Sequence, residues 1–447
     1  MVKDLLNIEN EFLDKLTGRI LLLQDRESKR EVMFQVFLEV YNAPENQRII
    51  RRQKDINPEA LFEAFISYGV IDEFLKEPEV EDIMINHLSP IYLHKLGVGL
   101  VKTDKRFSNR EEINLFIKKL IVFSGRKDIK KINNIELADM KGRANIIFSP
   151  FGTQITITRA KTKPLSIIEL IKSGCMNPEI AAQFWLYVEG MGVRPANIII
   201  AGGPGAGKTT LLNALFSFIP ITERMVVIED TLELNTDLEE NCSRLESDEE
   251  INLEDLIKNS LRMRPDRIII GEVRGREAQD LMTAMNIGKY CMGTLHASTA
   301  RETIMRLESE PMNVPPTLIN FVDVFVIMRR YNVDHQVLRI VGELVETGGM
   351  EQKTVLLSNL WSHNPTKHEF IESEVSSIYR DRLAQISGKS SKEINDELKI
   401  RISLIKVMLE MGLTAMEEVT DFCRKYAQDP RAAIEELGLK REVLLSQ

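Results

Sequence analysis

Between Ser166 and about Trp361, short apolar runs alternate with stretches in which apolar residues recur at helical spacing. The apolar runs lie at 198–201, 225–230, 267–272, 292–297 and 321–328. Short apolar strands separated by helical segments predict a parallel sheet with helices on its faces. Two further β patterns, at 337–345 and 354–357, predict strands that close this sheet. We therefore expect residues 166–362 to form one α/β domain.

The chain before this domain shows two different patterns. Residues 1–60 carry apolar side chains at helical spacing, namely Leu5, Ile8, Phe12, Leu16 and Ile20. Residues 61–160 mix helical and strand patterns: helices at 61–75 and 111–123, and strands at 82–86, 91–94, 143–148 and 154–159. We expect a helical extension, an α+β domain, and then a linker at 161–165, where Pro164 interrupts regular structure.

The last part of the chain, residues 363–447, is helical in pattern. Ser390 with Glu393 forms a capping box, and Thr414 with Glu417 forms a second one. Gly412 stands where the helix between them would end. An apolar stripe runs along that helix through Ile394, Leu398, Ile402, Ile405 and Leu409. A helical appendage packed on the preceding domain and a docking module for a partner both fit this stripe.

Composition narrows the class of protein. The chain has 447 residues, enough for two or three domains with their own cores. Its formal net charge of −9 disfavours stable nucleic-acid binding, because a surface that binds phosphates is basic. Its four cysteines, Cys175, Cys242, Cys291 and Cys423, are scattered, which favours buried thiols in a reducing compartment over disulfides or a zinc site.

The sequence also bears on location. No apolar stretch approaches the roughly 18 residues that cross a bilayer, and the N-terminal residues carry acids, unlike a signal peptide. We expect a cytoplasmic protein whose association with a membrane is peripheral or runs through a partner.

The strongest motif is GGPGAGKTT at 202–210, placed between an apolar strand and an apolar helix start. Glycines let the backbone curl around a polyphosphate so that its N–H groups become ligands. Lys208 can reach the β- and γ-phosphates, and the Thr209 hydroxyl can bind Mg²⁺. The residues expected to bind the nucleotide are Gly202, Gly203, Pro204, Gly205, Ala206, Gly207, Lys208, Thr209 and Thr210. A chance glycine-rich turn is the weaker alternative.

Two further strands end in acids. The run MVVIEDTLEL at 225–234 ends in Glu229 and Asp230, where a metal-bound or attacking water would lie. A strand entering a solvated acidic loop is the alternative. The run RIIIGE at 267–272 has Gly271 in place of the usual Asp, followed by Glu272, whose carboxylate can orient or deprotonate a water.

Cationic residues lie near these acids in the sequence. Four arginines, Arg262, Arg264, Arg274 and Arg276, flank the second strand, and at least one of them can stabilise the charge of a phosphoryl-transfer transition state. Surface ion pairs are the alternative for any single one. His296 ends a third strand, in MGTLHAST, where a γ-phosphate sensor and a structural role are both open.

Together these motifs resemble the secretion-system and type IV pilus assembly ATPases, the GspE-like and CpaF-like superfamily. GGPGAGKTT resembles its Walker A box, VVIEDTLEL its acidic box, RPDRIIIGEVRGREA its Walker B box and GTLHAST its His box. DIMIN, GRAN and ITITR, within residues 82–159, resemble its N-terminal domain, and RIVGELVE resembles its closing strands. The CpaF-like branch, which includes archaeal members, is the closest, although Lys289 and Cys291 depart from the common pattern.

The resemblance implies a RecA-like P-loop NTPase domain, preceded by the α+β domain and followed by the helical appendage. It implies a homohexameric ring, ATP and Mg²⁺, and an ATP site between the two domains. It assigns Glu272, Glu229 and His296 to catalysis, and Thr209, Glu229 and Glu272 to the metal. Of the four arginines that flank the second strand, we expect Arg274 to take part in catalysis. From the N-terminal domain it implies that Arg106, Arg126 and Arg159 stabilise charge on the nucleotide.

The leading hypothesis is a motor that hydrolyses ATP at a membrane platform, with a polytopic membrane protein as its partner. Hydrolysis would open and close the two domains around residues 161–165 and so drive secretion or filament assembly. A nucleic-acid translocase is the second hypothesis, and the acidic net charge counts against it. A nucleotide-gated scaffold without catalysis is the third, and the presence of both Glu229 and Glu272 counts against it.

Overall fold

The computed structural model describes residues 2–20, 26–51, 57–95, 98–137, 142–150, 152–159, 164–247, 250–333 and 336–445. The chain divides into two compact units, Met1–Thr162 and Lys163–Gln447. Residues 161–163 of the predicted linker lie outside the described residues, so the hinge proposed there stays a prediction. Among the described residues, no helix combines the length and the apolar composition that crossing a membrane requires.

The first unit combines helices with an antiparallel sheet. Its helices are α1 (Val2–Leu16), α2 (Arg26–Tyr41), α3 (Pro44–Arg51), α4 (Pro58–Ile66), α5 (Asp72–Lys76) and α6 (Arg110–Phe123). Its strands are β1 (Val80–Ile85), β2 (Ile91–Lys95), β3 (Gly99–Lys102), β4 (Ile132–Leu137), β5 (Gly142–Ser149) and β6 (Gly152–Arg159). They form a six-stranded sheet in the order β3-β2-β1-β6-β5-β4.

Alternation along the strands builds the core of this unit. Ile83, Ile85, Ile155 and Ile157 are buried, while the residues between them face the other side of the sheet. They share one hydrophobic core with phenylalanines of the helices, such as Phe12. The N-terminal helices and the α+β region, expected as separate parts, thus bury their apolar faces together.

The second unit is built on a nine-stranded sheet in the order β15-β14-β13-β12-β7-β11-β10-β8-β9. The strands are β7 (Ile198–Gly202), β8 (Met225–Glu229), β9 (Cys242–Glu246), β10 (Arg267–Val273), β11 (Tyr290–Leu295), β12 (Val324–Val333), β13 (Gln336–Glu351), β14 (Thr354–Asn364) and β15 (Glu369–Glu372). Strands β9, β8, β10, β11, β7 and β12 are parallel, and β12 to β15 are antiparallel neighbours. The predicted α/β class with a mostly parallel sheet is confirmed.

Helices cover this sheet. Those before or between its strands are α7 (Ile167–Lys172), α8 (Pro178–Glu189), α9 (Lys208–Ala214), α10 (Leu253–Ser260), α11 (Glu277–Asn286), α12 (Ala300–Glu308) and α13 (Pro316–Ile319). Those that follow it are α14 (Ile378–Ser387), α15 (Ser391–Met411), α16 (Met416–Gln428), α17 (Pro430–Glu436) and α18 (Arg441–Leu444). The central strands β7, β8, β10 and β11 are buried almost throughout, as a parallel sheet covered on both faces requires.

The C-terminal helices pack directly on the sheet domain. Trp185 of α8 stacks on Phe218, with ring centroids 5.5 Å apart, and meets the ring of Tyr426 from α16 at 5.0 Å. All three residues belong to one hydrophobic core. The domain boundary expected at residue 362 falls inside β14, because the antiparallel strands continue to residue 372.

Candidate active site

The phosphate-binding loop joins β7 to α9. Strand β7 ends at Gly202 and α9 begins at Lys208, so the glycine-rich residues form the turn between them. Gly207 precedes the helix with φ of 91°, a left-handed conformation that side chains disfavour. The sequence therefore folds locally into a turn that aims backbone N–H groups of the α9 N-terminus outward, which is an anion-binding arrangement.

Lys208 is held inside this turn. Its Nζ lies 3.2 Å from the carbonyl oxygens of both Gly202 and Gly203, and 3.3 Å from Nδ1 of His296. The side chain is mostly buried, and burial lowers the pKa of its amino group, although the charge of Glu272 opposes that shift. These contacts place the amino group within the phosphate-binding loop.

His296 and Glu272 come from β11, which lies next to β7 in the sheet, and from β10, which lies next to β11. His296 directly follows β11, and Glu272 lies near the end of β10. Nε2 of His296 lies 2.9 Å from Oε1 of Glu272. No hydrogen bond from any other described residue reaches that oxygen. Lys208, His296 and Glu272, predicted separately from three strand ends, therefore form one continuous set of contacts.

The protonation states of these groups follow from their surroundings. Burial and the charge of Lys208 lower the pKa of His296, so its imidazole is neutral near pH 7. Burial raises the pKa of Glu272, but the hydrogen bond and charge of Arg274 outweigh burial, and the carboxyl stays ionised. The site therefore presents an anionic carboxylate beside a neutral imidazole.

Arg274 holds Glu272 from the solvent side. It donates from Nη2 to Oε2 of Glu272 at 2.7 Å, and its Nη1 lies 3.1 Å from Oδ2 of Asp230. Arg262, Arg264 and Arg276 are exposed. Of the four arginines predicted near this strand, Arg274 is the one that the structure joins to Glu272.

Glu229, at the end of β8, is almost completely buried. Its Oε1 accepts the backbone N–H groups of Glu233 at 2.9 Å and Leu234 at 3.0 Å. Its Oε2 lies 3.4 Å from Nη2 of Arg244. Burial raises the pKa of Glu229 to about 7. The carboxylate is thus directed at residues 230–241, which connect β8 to β9 and are called the return segment below.

Gly271 explains the unusual ending of β10. A Cβ at this position would lie 2.9 Å from Cγ of Glu229, which is closer than side chains approach. The carbonyl of Gly271 accepts a hydrogen bond from the Thr294 hydroxyl at 2.6 Å. The side chain that this strand lacks is replaced in space by Glu229 from the neighbouring strand.

The arginines predicted from the N-terminal domain lie in the first unit. Nη1 of Arg159 donates to the backbone carbonyls of Glu77 at 2.5 Å, Val80 at 3.2 Å and Phe74 at 3.3 Å. Burial lowers the pKa of this guanidinium. These contacts attach Arg159 to the backbone of the first unit, and its contact with nucleotide stays a prediction. Arg106 is exposed and Arg126 is half-buried, and their contact with nucleotide stays a prediction.

The structure adds residues that sequence reasoning missed. Arg339 of β13 donates from Nε to the carbonyl of Gly205 at 2.9 Å, and so supports the phosphate-binding loop. Arg330 faces Arg339 in register across the β12–β13 pair and also approaches Gly205. The sequence offered one signal, since Arg339 interrupts the β pattern predicted at 337–345.

A glycine-rich loop between a buried strand and a helix, with acids and a histidine at the adjacent strand ends, defines a P-loop nucleotide-binding domain of the α/β class. Residues 133–437 match the family model described as "Type II/IV secretion system protein". The chain belongs to this family, and the resemblance read from its four motifs is confirmed.

The chain is also similar to individual proteins and to solved structures. An uncharacterised protein of Methanocaldococcus jannaschii is 30% identical over 377 residues, which cover 80% of this chain and 67% of that protein. Conjugal transfer protein TrbB of Rhizobium radiobacter is 30% identical over 240 residues, covering 52% of this chain and 73% of TrbB. The crystal structure of the Legionella pneumophila ATPase DotB is 19% identical, with a TM-score of 0.46, and the match covers 81% of this chain and 94% of DotB.

Proposed function

We propose that this protein is an ATPase of a type II/IV secretion or pilus-assembly system, which hydrolyses ATP with Mg²⁺. The observation that carries the proposal is the set of contacts from Lys208 through His296 to Glu272. These residues lie at the ends of three adjacent strands of one parallel sheet, the place where ligands bind in open α/β sheets.

The residues of the loop fit a triphosphate. The N–H groups at the start of α9 and the Lys208 amino group bind the phosphates and offset their negative charge. The carbonyl contacts of Lys208 keep its amino group inside the loop before any nucleotide arrives. His296, next to Lys208, is placed to sense the γ-phosphate.

The donor set also fits Mg²⁺. The Thr209 hydroxyl follows Lys208 in the first turn of α9, and Oε1 of Glu272 contacts Nε2 of His296 at 2.9 Å. We assign Thr209 and Glu272 to the metal, directly or through its waters, and the bound ion neutralises charge on the β- and γ-phosphates. Glu229, expected as a third ligand, is bound to the return segment, and we assign it to holding the end of β10.

Glu272 also takes the catalytic role. Its carboxylate is ionised, and a carboxylate oxygen can accept more than one hydrogen bond, so Oε1, which lies 2.9 Å from Nε2 of His296, can also align an attacking water for in-line displacement. Arg274 binds the other oxygen and fixes the orientation of the carboxylate. Arg106 and Arg126 of the first unit are candidates for stabilising the transition-state charge.

We further propose that the protein acts as a homohexamer at the inner face of the cell membrane, with a polytopic membrane protein as its platform. Hydrolysis there would drive protein secretion or assembly of a pilus-like or archaellum-like filament. These proposals rest on membership of the family and on the acidic net charge of −9, which disfavours a nucleic-acid track.

The proposal is tested by release of inorganic phosphate from ATP in the presence of Mg²⁺. Lys208→Ala removes the cation that contacts the phosphates, and we expect its turnover to fall to background. Lys172→Ala, an exposed position at the end of α7 in the same unit, is the matched control and should hydrolyse ATP at the wild-type rate. Full activity of Lys208→Ala, or none in the wild type, would contradict the proposal.

A further inference from the structure

The first half of the return segment is held by residues in and next to the active site. Glu229 accepts two of its N–H groups, and Nη2 of Arg244 donates to the carbonyl of Leu234 at 2.8 Å. The N–H of Asn235 donates to Oδ1 of Asn213 on α9 at 2.6 Å. Because Cγ of Glu229 fills the space beside Gly271, the segment, Glu229 and the strand end that carries Glu272 are packed against one another.

The second half of the segment is held by α16. Arg424 donates from Nη1 to the carbonyl of Leu238 at 2.8 Å and from Nη2 to Oε2 of Glu239 at 2.6 Å. The side chains of Arg424 and Glu239 are only 11% and 8% exposed. A buried ion pair with a second hydrogen bond constrains both partners, because removing one leaves the other charge unpaired.

Helix α16 is itself attached to the structure behind the phosphate-binding loop. Thr420 donates from its hydroxyl to Oγ of Ser217 at 3.2 Å, and Ser217 contacts Sδ of Met416 at 3.3 Å. Ser217 lies in the single 3₁₀ turn, Leu215–Phe218, that directly continues α9. The same helix therefore touches the continuation of the loop helix and the segment that binds Glu229.

We propose that Arg424 is a positioning residue for the active site, which holds the return segment so that Glu229 keeps β10 and its Glu272 in place. The C-terminal helices thus help to set the geometry of the ATPase site. This inference rests on the proposed function. It gives α16 a role in the ATPase site, although none of the sequence motifs of that site lies in this helix.

The test compares variants of the full-length protein. In Arg424→Ala we expect kcat for ATP hydrolysis to fall about tenfold, since misplacement by about 1 Å can cost up to ~100-fold, while KM for ATP changes less than twofold. Amide hydrogen exchange at Glu233 and Leu234 should become at least about tenfold faster, because their bonds to Glu229 loosen. Arg424→Lys keeps the positive charge but not the forked guanidinium, so kcat and the exchange rates of both amides should return part of the way to their wild-type values.

Lys425→Ala is the matched control, because Lys425 lies on the same helix and pairs with Glu436 at 2.9 Å, away from the return segment. It should leave kcat and both amides unchanged. Wild-type exchange at Glu233 and Leu234 in Arg424→Ala would overturn the inference, and so would an unchanged kcat. Exchange is read without ATP, so a wild type that fails to hydrolyse ATP overturns only the proposed function. If Arg424→Ala does not fold, Glu239→Gln replaces it in the test. This variant leaves the hydrogen bond from Arg424 to the carbonyl of Leu238 in place, so amide exchange at Glu233 and Leu234 must become faster by a smaller factor.

Discussion

At the scale of single residues, the site depends on a side chain of one strand that fills the space beside a glycine of the neighbouring strand. Strand β10 has Gly271 before its Glu272, and the side chain of Glu229 from β8 occupies the space beside that glycine. One oxygen of Glu272 is bound by Arg274, and the other lies 2.9 Å from Nε2 of His296. The carboxylate that faces the loop and the carboxylate that supports the strand are thus two different residues.

The separation of these two roles predicts the behaviour of Glu272→Gln. The amide keeps the size of the side chain but cannot act as a base, so we expect kcat to fall by about 10²–10⁴-fold. Nucleotide binding should persist, because the phosphate-binding loop is untouched. Steady-state phosphate release and binding of a fluorescent ATP analogue measure the two quantities separately.

Glu254→Gln provides the control for this experiment, since Glu254 forms a surface pair with Lys258 on α10. Its rate should equal that of the wild type. A Glu272→Gln protein that turns over ATP normally would instead favour a nucleotide-gated scaffold.

The candidate functional residues at the strand ends could be predicted from the sequence, whereas the partners of several arginines could not. Lys208, Glu272 and His296 could be placed together because each follows an apolar run of one parallel sheet. The partners of Arg159, Arg339 and Arg424 depend on contacts between residues that are far apart in the chain. Local sequence patterns contain no information about such pairs, so Arg339 and Arg424 were missed, and the backbone partners of Arg159 were not predicted.

At the scale of elements, local signals decided how closely a predicted boundary agreed with the structure. The capping box of Ser390 and Glu393 is present at the start of α15, and Gly412 ends that helix in a left-handed conformation. The second box was wrong by one residue: α16 begins at Met416, and Glu418 rather than Glu417 accepts the N–H of Ala415. Burial of Met416 in the core sets this start, which the local pattern could not show.

Other element predictions failed where tertiary contacts outweigh local preference. The single helix predicted at 61–75 is interrupted, because Gly69 adopts φ of 64° between α4 and α5. Strand β9, in which three residues are partly buried and two are exposed, was absent from the predicted set. Its strand conformation is supported by parallel pairing with β8 rather than by an apolar run.

The contact between α8 and α15 centres on Arg401, which is 2% exposed. Its Nε donates to Oε1 of Glu397 at 3.0 Å, its Nη2 binds Glu189, and its guanidinium lies 5.0 Å from the ring centroid of Trp185. Tyr426 of α16 donates to the same oxygen of Glu397 at 2.8 Å. Three helices thus meet at one buried cation that two carboxylates neutralise.

This arrangement predicts a large effect for Arg401→Ala. The change leaves Glu189 buried without its counter-ion and Glu397 with only the 3.8 Å contact to Arg441, and we expect the free energy of unfolding to fall by about 3–5 kcal/mol. Urea unfolding followed by tryptophan fluorescence measures it. Arg431→Ala, at an exposed position on α17, should change the same quantity by less than about 0.5 kcal/mol. Equal stability of the two variants would show that the buried cluster does not stabilise the packing of these helices.

At the scale of the whole molecule, the hydrophobic pattern indicated the classes of fold but not the limits of the cores. The α/β class follows from alternating strands and helices, and the sheet order agrees with it. The N-terminal and C-terminal helices looked separable because their stripes are amphipathic, yet each stripe is buried in the core of its unit. An amphipathic stripe shows that a helix packs on something, and the identity of that partner surface is a property of the three-dimensional structure.

The proposed homohexamer leads to a prediction for the complete protein. Arg274 is engaged by Asp230 and Glu272, so charge stabilisation in the transition state calls for an arginine from elsewhere, as a neighbouring copy can provide. We expect light scattering to give about six times the 51.1 kDa chain mass with ATP and Mg²⁺, and the rate per subunit to rise steeply as rings form on concentration. Lys208→Ala, mixed in increasing amounts with the wild type, should lower the rate by more than its share of subunits. A monomer that hydrolyses ATP at the same rate at every concentration would show that the site is complete within one chain.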